Sequence, residues 1–250
     1  MVTPPRARWR RWALLLATLL GMALTAALGR WQLSRAAGKL ELAAATAARE
    51  RLPLLDGATL AAPPGADGLP ALLQRRVVLR GHWLAPHTLY LDNRPMNGQA
   101  GFYVFTPLRL SGREAVVLVQ RGWVPRNQRE RAALPPVQTP DGEVELAGRL
   151  VEHPPRVFQL GAEQPGPIRQ NLDLAALRAE TGLPLAPLVV QQLGAPSEGL
   201  RRDWPAPGTG VERHYGYAFQ WFGLCALIAL LFLWFQVVRP VLRTRRAGRA

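Results

Sequence analysis

Four histidines, one cysteine and a few clustered charges are the residues from which this 250-residue chain could build chemistry. Cys225 stands alone inside an apolar run, which excludes an intramolecular disulfide, a zinc cluster, a copper-carrying Cys-x-x-x-Cys pair and cysteine nucleophilic catalysis. Gly-x-Ser-x-Gly, the glycine-rich phosphate and dinucleotide loops, and His-Glu-x-x-His are absent, and none of Ser34, Ser111 and Ser197 falls at a strand-to-helix elbow. A protein that is not an enzyme is the expectation. His82 and His87 flank a predicted turn with Asp92 nearby, a spacing that suits either a metal site or two polar turn residues. His153 precedes Pro154-Pro155 in a loop. His214 is different, because it stands three residues before an apolar run in the string His214-Tyr215-Gly216-Tyr217-Ala218. A neutral imidazole there can ligate haem iron, with Trp31 and Tyr217 flanking the porphyrin and Arg30, Arg35 and Arg213 meeting the propionates. The alternative is an interfacial histidine that tolerates lipid headgroups. A second group joins Asp92, Asn93, Arg94, Asn97 and Gly98 to Arg121, Gly122 and Trp123. Its Asp92, Arg94 and Arg121 are expected to form a charged cluster at one end of a sheet, as a binding surface or as a network fixing a turn. Asn97-Gly98 supplies the tight turn and Gly101 a close backbone approach.

The elements that hold these residues begin with two apolar runs. The first, residues 12–28, has 17 residues without a charge, about 26 Å of helix against a hydrocarbon layer of about 30 Å. A cleaved signal peptide is the alternative, but its apolar region is usually shorter and no clean A-x-A site follows, so a retained anchor is favoured. The second, residues 217–238, has 22 residues, about 33 Å, with Trp221, Phe222, Trp234 and Phe235 near its ends as in an aromatic belt.

The formal charge of +14 invites a nucleic-acid reading until it is located. Nine of the 31 basic residues stand in the tails 1–11 and 239–250, which contain no acid; the middle holds 22 basic and 17 acidic residues, a balance of +5. Arginines outside both runs orient helices in a membrane rather than grip phosphate, so nucleic acid is excluded as a partner and membrane lipid expected. Both termini are then cytoplasmic in a bacterial inner membrane, and residues 29–216 are periplasmic.

Residues 29–51 are Ala-rich with few breakers beyond Gly38 and predict a helix continuing out of the bilayer. Residues 54–73, with Pro63, Pro64 and Pro70, read as a loop. A sheet core is expected over 74–195, with strands at 77–84, 88–92, 102–110, 115–123, 144–151 and 187–193. A helix over 173–181 has Asp173 as N-cap and Gly182 at its C-terminal end. Short turns between strands predict an antiparallel, β-rich α+β domain, a small barrel or open sheet, between the two transmembrane helices.

Four segments together resemble a known family. Gly29-Arg30-Trp31-Gln32-Leu33-Ser34-Arg35 is similar to its signature after the first helix. Leu91-Asp92-Asn93-Arg94 through Asn97-Gly98 and Gly101 is similar to its central turn, and Val119-Gln120-Arg121-Gly122-Trp123-Val124-Pro125 to its strand end. His214-Tyr215-Gly216-Tyr217-Ala218-Phe219-Gln220-Trp221-Phe222 is similar to its entry to the second helix. The chain thus resembles the Surf-one (surfeit locus, Shy-type) family of cytochrome c oxidase assembly factors across 29–240. Two positions depart from the pattern: Gln120 stands where Asn or Asp often precedes Arg-Gly-Trp, and 169–173 lacks a common Trp. The resemblance implies a chaperone that assists haem a insertion into the catalytic subunit of a haem-copper oxidase, with His214 as the haem contact and haem a synthase as a further partner. A scaffold that works without haem is the alternative within the same family.

Overall fold

The computed structural model describes residues 5–61, 66–127, 130, 133–154, 156–158, 166–205 and 210–247. Tail residues 1–4 and 248–250, and residues 62–65 of the predicted loop, lie outside them. In chain order the elements are α1 (Pro5–Glu50), α2 (Gly57–Ala61), α3 (Leu69–Leu72), β1 (Arg76–Trp83), β2 (Leu89–Leu91), β3 (Gly101–Leu110), β4 (Val116–Pro125), β5 (Glu143–Val151), β6 (Ile168–Arg169), α4 (Leu174–Thr181), β7 (Leu185–Gln192), α5 (Val211–Leu233) and α6 (Arg239–Ala247). A π-helical turn (Trp234–Val238) joins the last two. An N-terminal and a C-terminal helix, both long and apolar, thus enclose a β-rich domain in the sequence. Two compact units result, Thr46–Pro205 and the helical Met1–Ala45 with Ala206–Ala250.

The β-rich unit closes on itself. β1 pairs with β5 along one edge and with β3 along the other, so β1-β5-β7-β4-β3 forms a five-stranded barrel, and β2 and β6 extend the sheet beyond β3. Gly81 lies on the seam, opposite both Leu110 and Val144, and a Cβ there would overlap the Arg109 carbonyl oxygen. Only glycine lets one strand approach two neighbours this closely. Alternate residues face inward, and Val77, Leu79, Leu108, Val119, Leu150 and Val190 meet in one cluster.

The expectation of an antiparallel sheet needs correction, because β4–β7 and β2–β6 are parallel. Between β4 and β7 the chain makes β5 and α4, a connection long enough to return in the same direction. Residues 57–61 and 69–72 are likewise helical rather than loop, and Leu60 and Leu72 close the interior cluster. Helices of five and four residues are too short for apolar periodicity to register. α4 matches its sequence signals: the Asp173 carboxylate accepts from the Ala175 and Ala176 N–H groups, and Gly182 ends the helix at φ 66°. Its Leu177 joins Leu172 over Phe105, Leu118 and Val189 on the outer face.

Candidate functional site

In the helical unit, small residues bring α1 and α5 together. Gly21, Thr25 and Gly29 recur every four residues on one face of α1, the spacing that lets backbones approach. A Cβ on Gly29 would stand 2.8 Å from two carbons of the Phe222 ring, and one on Gly21 3.6 Å from Ile228 Cδ1. Ala36 and Ala218 are 0% and 2% exposed, and the Cys225 thiol donates to the Met22 carbonyl at 3.6 Å. The Thr25 hydroxyl donates to the Gly21 carbonyl on its own helix, so no polar group is stranded in the contact.

Gln32 and His214 sit on the same contact line. The imidazole Nδ1 lies 2.7 Å from Gln32 Oε1. With the amide oxygen facing the ring, Nδ1 carries the proton and donates it, and the Nε2 lone pair is left as a ligand or base. An outer carbonyl that holds a histidine this way also fixes the orientation its ring presents to a metal. The ring is half-buried and forms one wall of a groove of about 340 Å³, whose other walls are Ser34, Arg35, Gly38, Lys39 and Leu42 of α1.

The predicted mouth of Trp31, Arg35, His214 and Tyr217 is therefore divided. Arg35 shares the groove with His214, and its guanidinium lies 5.8 Å over the Trp31 ring. Trp31 itself is 52% exposed and lines a separate groove with Ala23, Ala26, Ala27, Arg30 and Ser34. One residue along a helix turns the side chain about 100°, so Gln32, not Trp31, faces His214. Tyr217 is also exposed and lines neither groove.

In the barrel unit the expected Asp92–Arg94–Arg121 cluster is replaced by three separate partnerships. Asp92 pairs with Arg126, Arg94 donates to the Gln170 carbonyl at 2.9 Å, and Arg121 pairs with Glu198 at 2.9 Å. The reason is alternation: Arg121 follows Val117 and Val119 on the inward face of β4, where its fully buried guanidinium lies 4.6 Å over the Trp83 ring. It also donates to Thr139 Oγ1 and to the Gln138 carbonyl, each at 2.7 Å. Arg202, buried beside it, donates to the Arg121 carbonyl at 2.8 Å and reaches Glu198 at 3.4 Å. Burial pulls the Arg202 guanidinium below its ordinary pKa, while Glu198 acts in the opposite sense. Trp83, Glu198 and Arg202 carry no motif, and only contacts with Arg121 from distant parts of the chain reveal them.

The central turn is built as its residue types suggest. Asn97 and Gly98 have φ 50° and 77° between the bridged Met96 and Gln99, and Asn93 has φ 57° with its N–H on Asp92 Oδ1. Trp123 Nε1 donates to the Arg94 carbonyl at 2.6 Å, and a Cβ on Gly101 would overlap the Trp123 ring. Gly122 faces Leu200, whose Cβ would be 2.6 Å from an added methyl. His82 is exposed on β1 beside Arg109 and Glu143, and His87 lies in the turn Ala85–His87. Among the described residues no group of three or more His, Cys, Asp or Glu converges on a metal position. His153 Nδ1 lies 3.2 Å from the neighbouring Pro154 carbonyl oxygen.

A family model described as the SURF1 family matches residues 19–226. The chain is 29% identical to "SURF1-like protein" of Drosophila melanogaster, over 89% of this chain and 77% of that protein. It is 32% identical to "Surfeit locus protein 1" of Rattus norvegicus, over 84% of this chain and 70% of that protein. Over 39% of this chain and 24% of the relative, it is 32% identical to "Cytochrome oxidase assembly protein SHY1" of Saccharomyces cerevisiae.

Proposed function

The chain belongs to the SURF1 family, and on that premise we propose that it is a cytochrome oxidase assembly factor, held in a membrane by its two apolar helices and catalysing no reaction of its own. The yeast relative's name, a cytochrome oxidase assembly protein, supports the role. The two spans are supported by length and exposure: Trp9–Glu50 and Val211–Arg243 are apolar enough to cross, and few residues of their most apolar stretches are buried within the chain. A helix of 46 residues extends about 69 Å, more than twice the hydrocarbon thickness, so α1 continues well beyond the bilayer. Arginines at both chain ends favour cytoplasmic termini in a bacterial inner membrane, with residues 29–216 in the periplasm.

The finer proposal is transient haem a binding at His214 during delivery to the oxidase catalytic subunit, with haem a synthase as donor. It is carried by the Gln32–His214 hydrogen bond, which fixes the tautomer an iron ligand needs. The residues suit an open, one-sided contact: His214 Nε2 supplies the single donor, and Arg35 and Lys39 on the groove wall suit propionates. Trp31 has no part in that face. A second reading, a haem-independent scaffold, is favoured by the close packing of Gly29 on Phe222 and of Ala36 and Ala218 beside the histidine.

The absorption spectrum of protein purified from cells that make haem a separates the two. A Soret band is expected in the wild type, lost in His214→Ala and weakened in Gln32→Leu, whose lost orienting carbonyl costs about 10–100-fold in affinity. A wild type without the band overturns the haem proposal and leaves the scaffold. Assembly itself is read by oxidase content after deletion of the chain in its own host; unchanged content overturns the assembly role.

A further inference from the structure

A second groove opens between the helices near the chain's two ends. Its walls are Arg11, Trp12 and Leu15 of α1 with Phe232, Gln236 and Pro240 of the C-terminal helices, around a volume of about 580 Å³. That volume is in the range of small-ligand sites. The antiparallel register set by Gly29 on Phe222 and Gly21 on Ile228 carries Arg11 to the level of Gln236 and Pro240, and Leu15 to that of Phe232. One end of the groove is therefore cationic and amide-bearing, and the other is hydrocarbon.

The backbone shapes this place. Pro240 has no N–H for the Gln236 carbonyl four residues earlier, and in a regular helix its ring would press on that oxygen. The helix widens instead into the π turn Trp234–Val238, in which the Arg239 N–H reaches the Trp234 carbonyl. Such a turn adds one residue and rotates everything after it by about 100°.

Charge and aromatics identify the ligand class. Arg10, Arg11, Arg239 and Arg243 gather at this end, and the chain has no acid before Glu41 or after Glu212. No carboxylate of the described helices near the groove neutralises them, and the Arg239 guanidinium instead lies 5.7 Å over the Phe235 ring. Trp9, Trp12 and Trp234 are all more than half exposed here, as side chains at headgroup depth are. We propose that this groove binds one anionic phospholipid, its phosphate against Arg11 and the Gln236 amide and an acyl chain along Leu15 and Phe232. The inference rests on the membrane-spanning reading above, and concerns a site remote from His214 on both helices.

Native mass spectrometry of the full chain released from nanodiscs of equal phosphatidylglycerol and phosphatidylcholine tests it. Retained lipid should favour phosphatidylglycerol by about tenfold, the discrimination that one or two arginines supply at a membrane surface. Arg11→Gln/Arg239→Gln should bring the two lipids to parity, Leu15→Trp should fill the groove and remove retained lipid, and Arg80→Gln in the barrel should change nothing. Equal retention by the wild type, preference surviving in the double variant, or loss of the lipid to millimolar inorganic phosphate would each overturn the proposal. Alkali extraction reads the premise separately. A chain that resists extraction but shows no preference sinks only the lipid site, whereas an extracted chain sinks the two spans as well.

Discussion

Replacing Glu198 by Gln keeps the shape of the side chain and removes the one carboxylate that two buried guanidiniums share. Arg121 and Arg202 are 0% and 3% exposed at their side chains and lie 2.9 and 3.4 Å from Glu198, itself only 19% exposed. Breaking a buried pair from one side costs about 3–5 kcal/mol, because the remaining charge stays desolvated. Here neutral acceptors persist: Arg121 keeps Thr139 and the Gln138 carbonyl, and Arg202 keeps the carbonyls of Arg121 and Ala195. These hold the expected loss near the lower end, about 2–4 kcal/mol. For a unit of this size each kcal/mol moves the midpoint about 2–4 °C, so Tm should fall by about 5–15 °C. Near-ultraviolet circular dichroism of the full chain in detergent follows this through Trp83, which stacks under Arg121. Glu145→Gln is the control. Its partner Arg80 and Glu145 itself are 71% and 56% exposed, and loss of that pair should move Tm by no more than about 2 °C. A Glu198→Gln variant that melts with the control would refute the reasoning, since solvent would then be neutralising charges the geometry buries. Removing the second cation as well, in Glu198→Gln/Arg202→Met, should recover part of the loss.

Other perturbations have equally definite signs. Gly29→Leu drives carbon into the Phe222 ring and should cost about 1–3 kcal/mol of helix-pair stability, read as lower resistance to proteolysis in micelles; Phe222→Ala in the same chain should restore it, and no change in either would argue against the contact. Asp173→Ala removes the α4 cap and should cost about 0.5–2 kcal/mol by denaturant unfolding. The N–H groups of Ala176 and Ala175 hold the Asp173 carboxyl below its ordinary pKa. Its stabilisation is therefore present above the unfolded value, about 4, and lost as pH falls through the lower folded one, so Asp173→Ala should flatten the acid limb of stability against pH. Burial raises the Tyr103 phenol above its ordinary value, with Arg94 opposing. That contribution holds below about pH 10 and is lost as pH rises through the raised folded value. Tyr103→Phe should flatten the alkaline limb, and an unchanged limb would count against burial as the cause.

What was legible in the sequence was what neighbouring residues decide. Runs of β-branched and aromatic residues place β3 and β4, Asn97-Gly98 makes the turn before them, and Asp173 with Gly182 bounds α4 to the residue. The closing of β1 onto β3 was not legible, because it depends on contacts nearly thirty residues apart and on Gly81 as a hydrogen-sized gap at the seam. Nor was the fate of Arg121. A charged residue in a Gln-Arg-Gly-Trp string looks like surface, and only the register of β4 turns it inward to Trp83.

The helix pair makes the same point about function. Motif reading picks out Trp31 and His214 together, as two chemically conspicuous side chains at matching depths. Helical phase separates them: a face set by Gly21, Thr25 and Gly29 continues to Gln32, and the adjacent Trp31 must point elsewhere. The residue that meets the imidazole is thus the quieter amide, and its effect is on the ring itself, orienting the proton and exposing Nε2. A stacking partner would hold a porphyrin's face, whereas an outer carbonyl tunes a donor that is open on its far side. On the haem proposal, such an arrangement suits a cargo passed on better than one retained. The same two helices that pack closely at Gly29 and Phe222 present the histidine at their flank, beside the groove of Arg35 and Lys39.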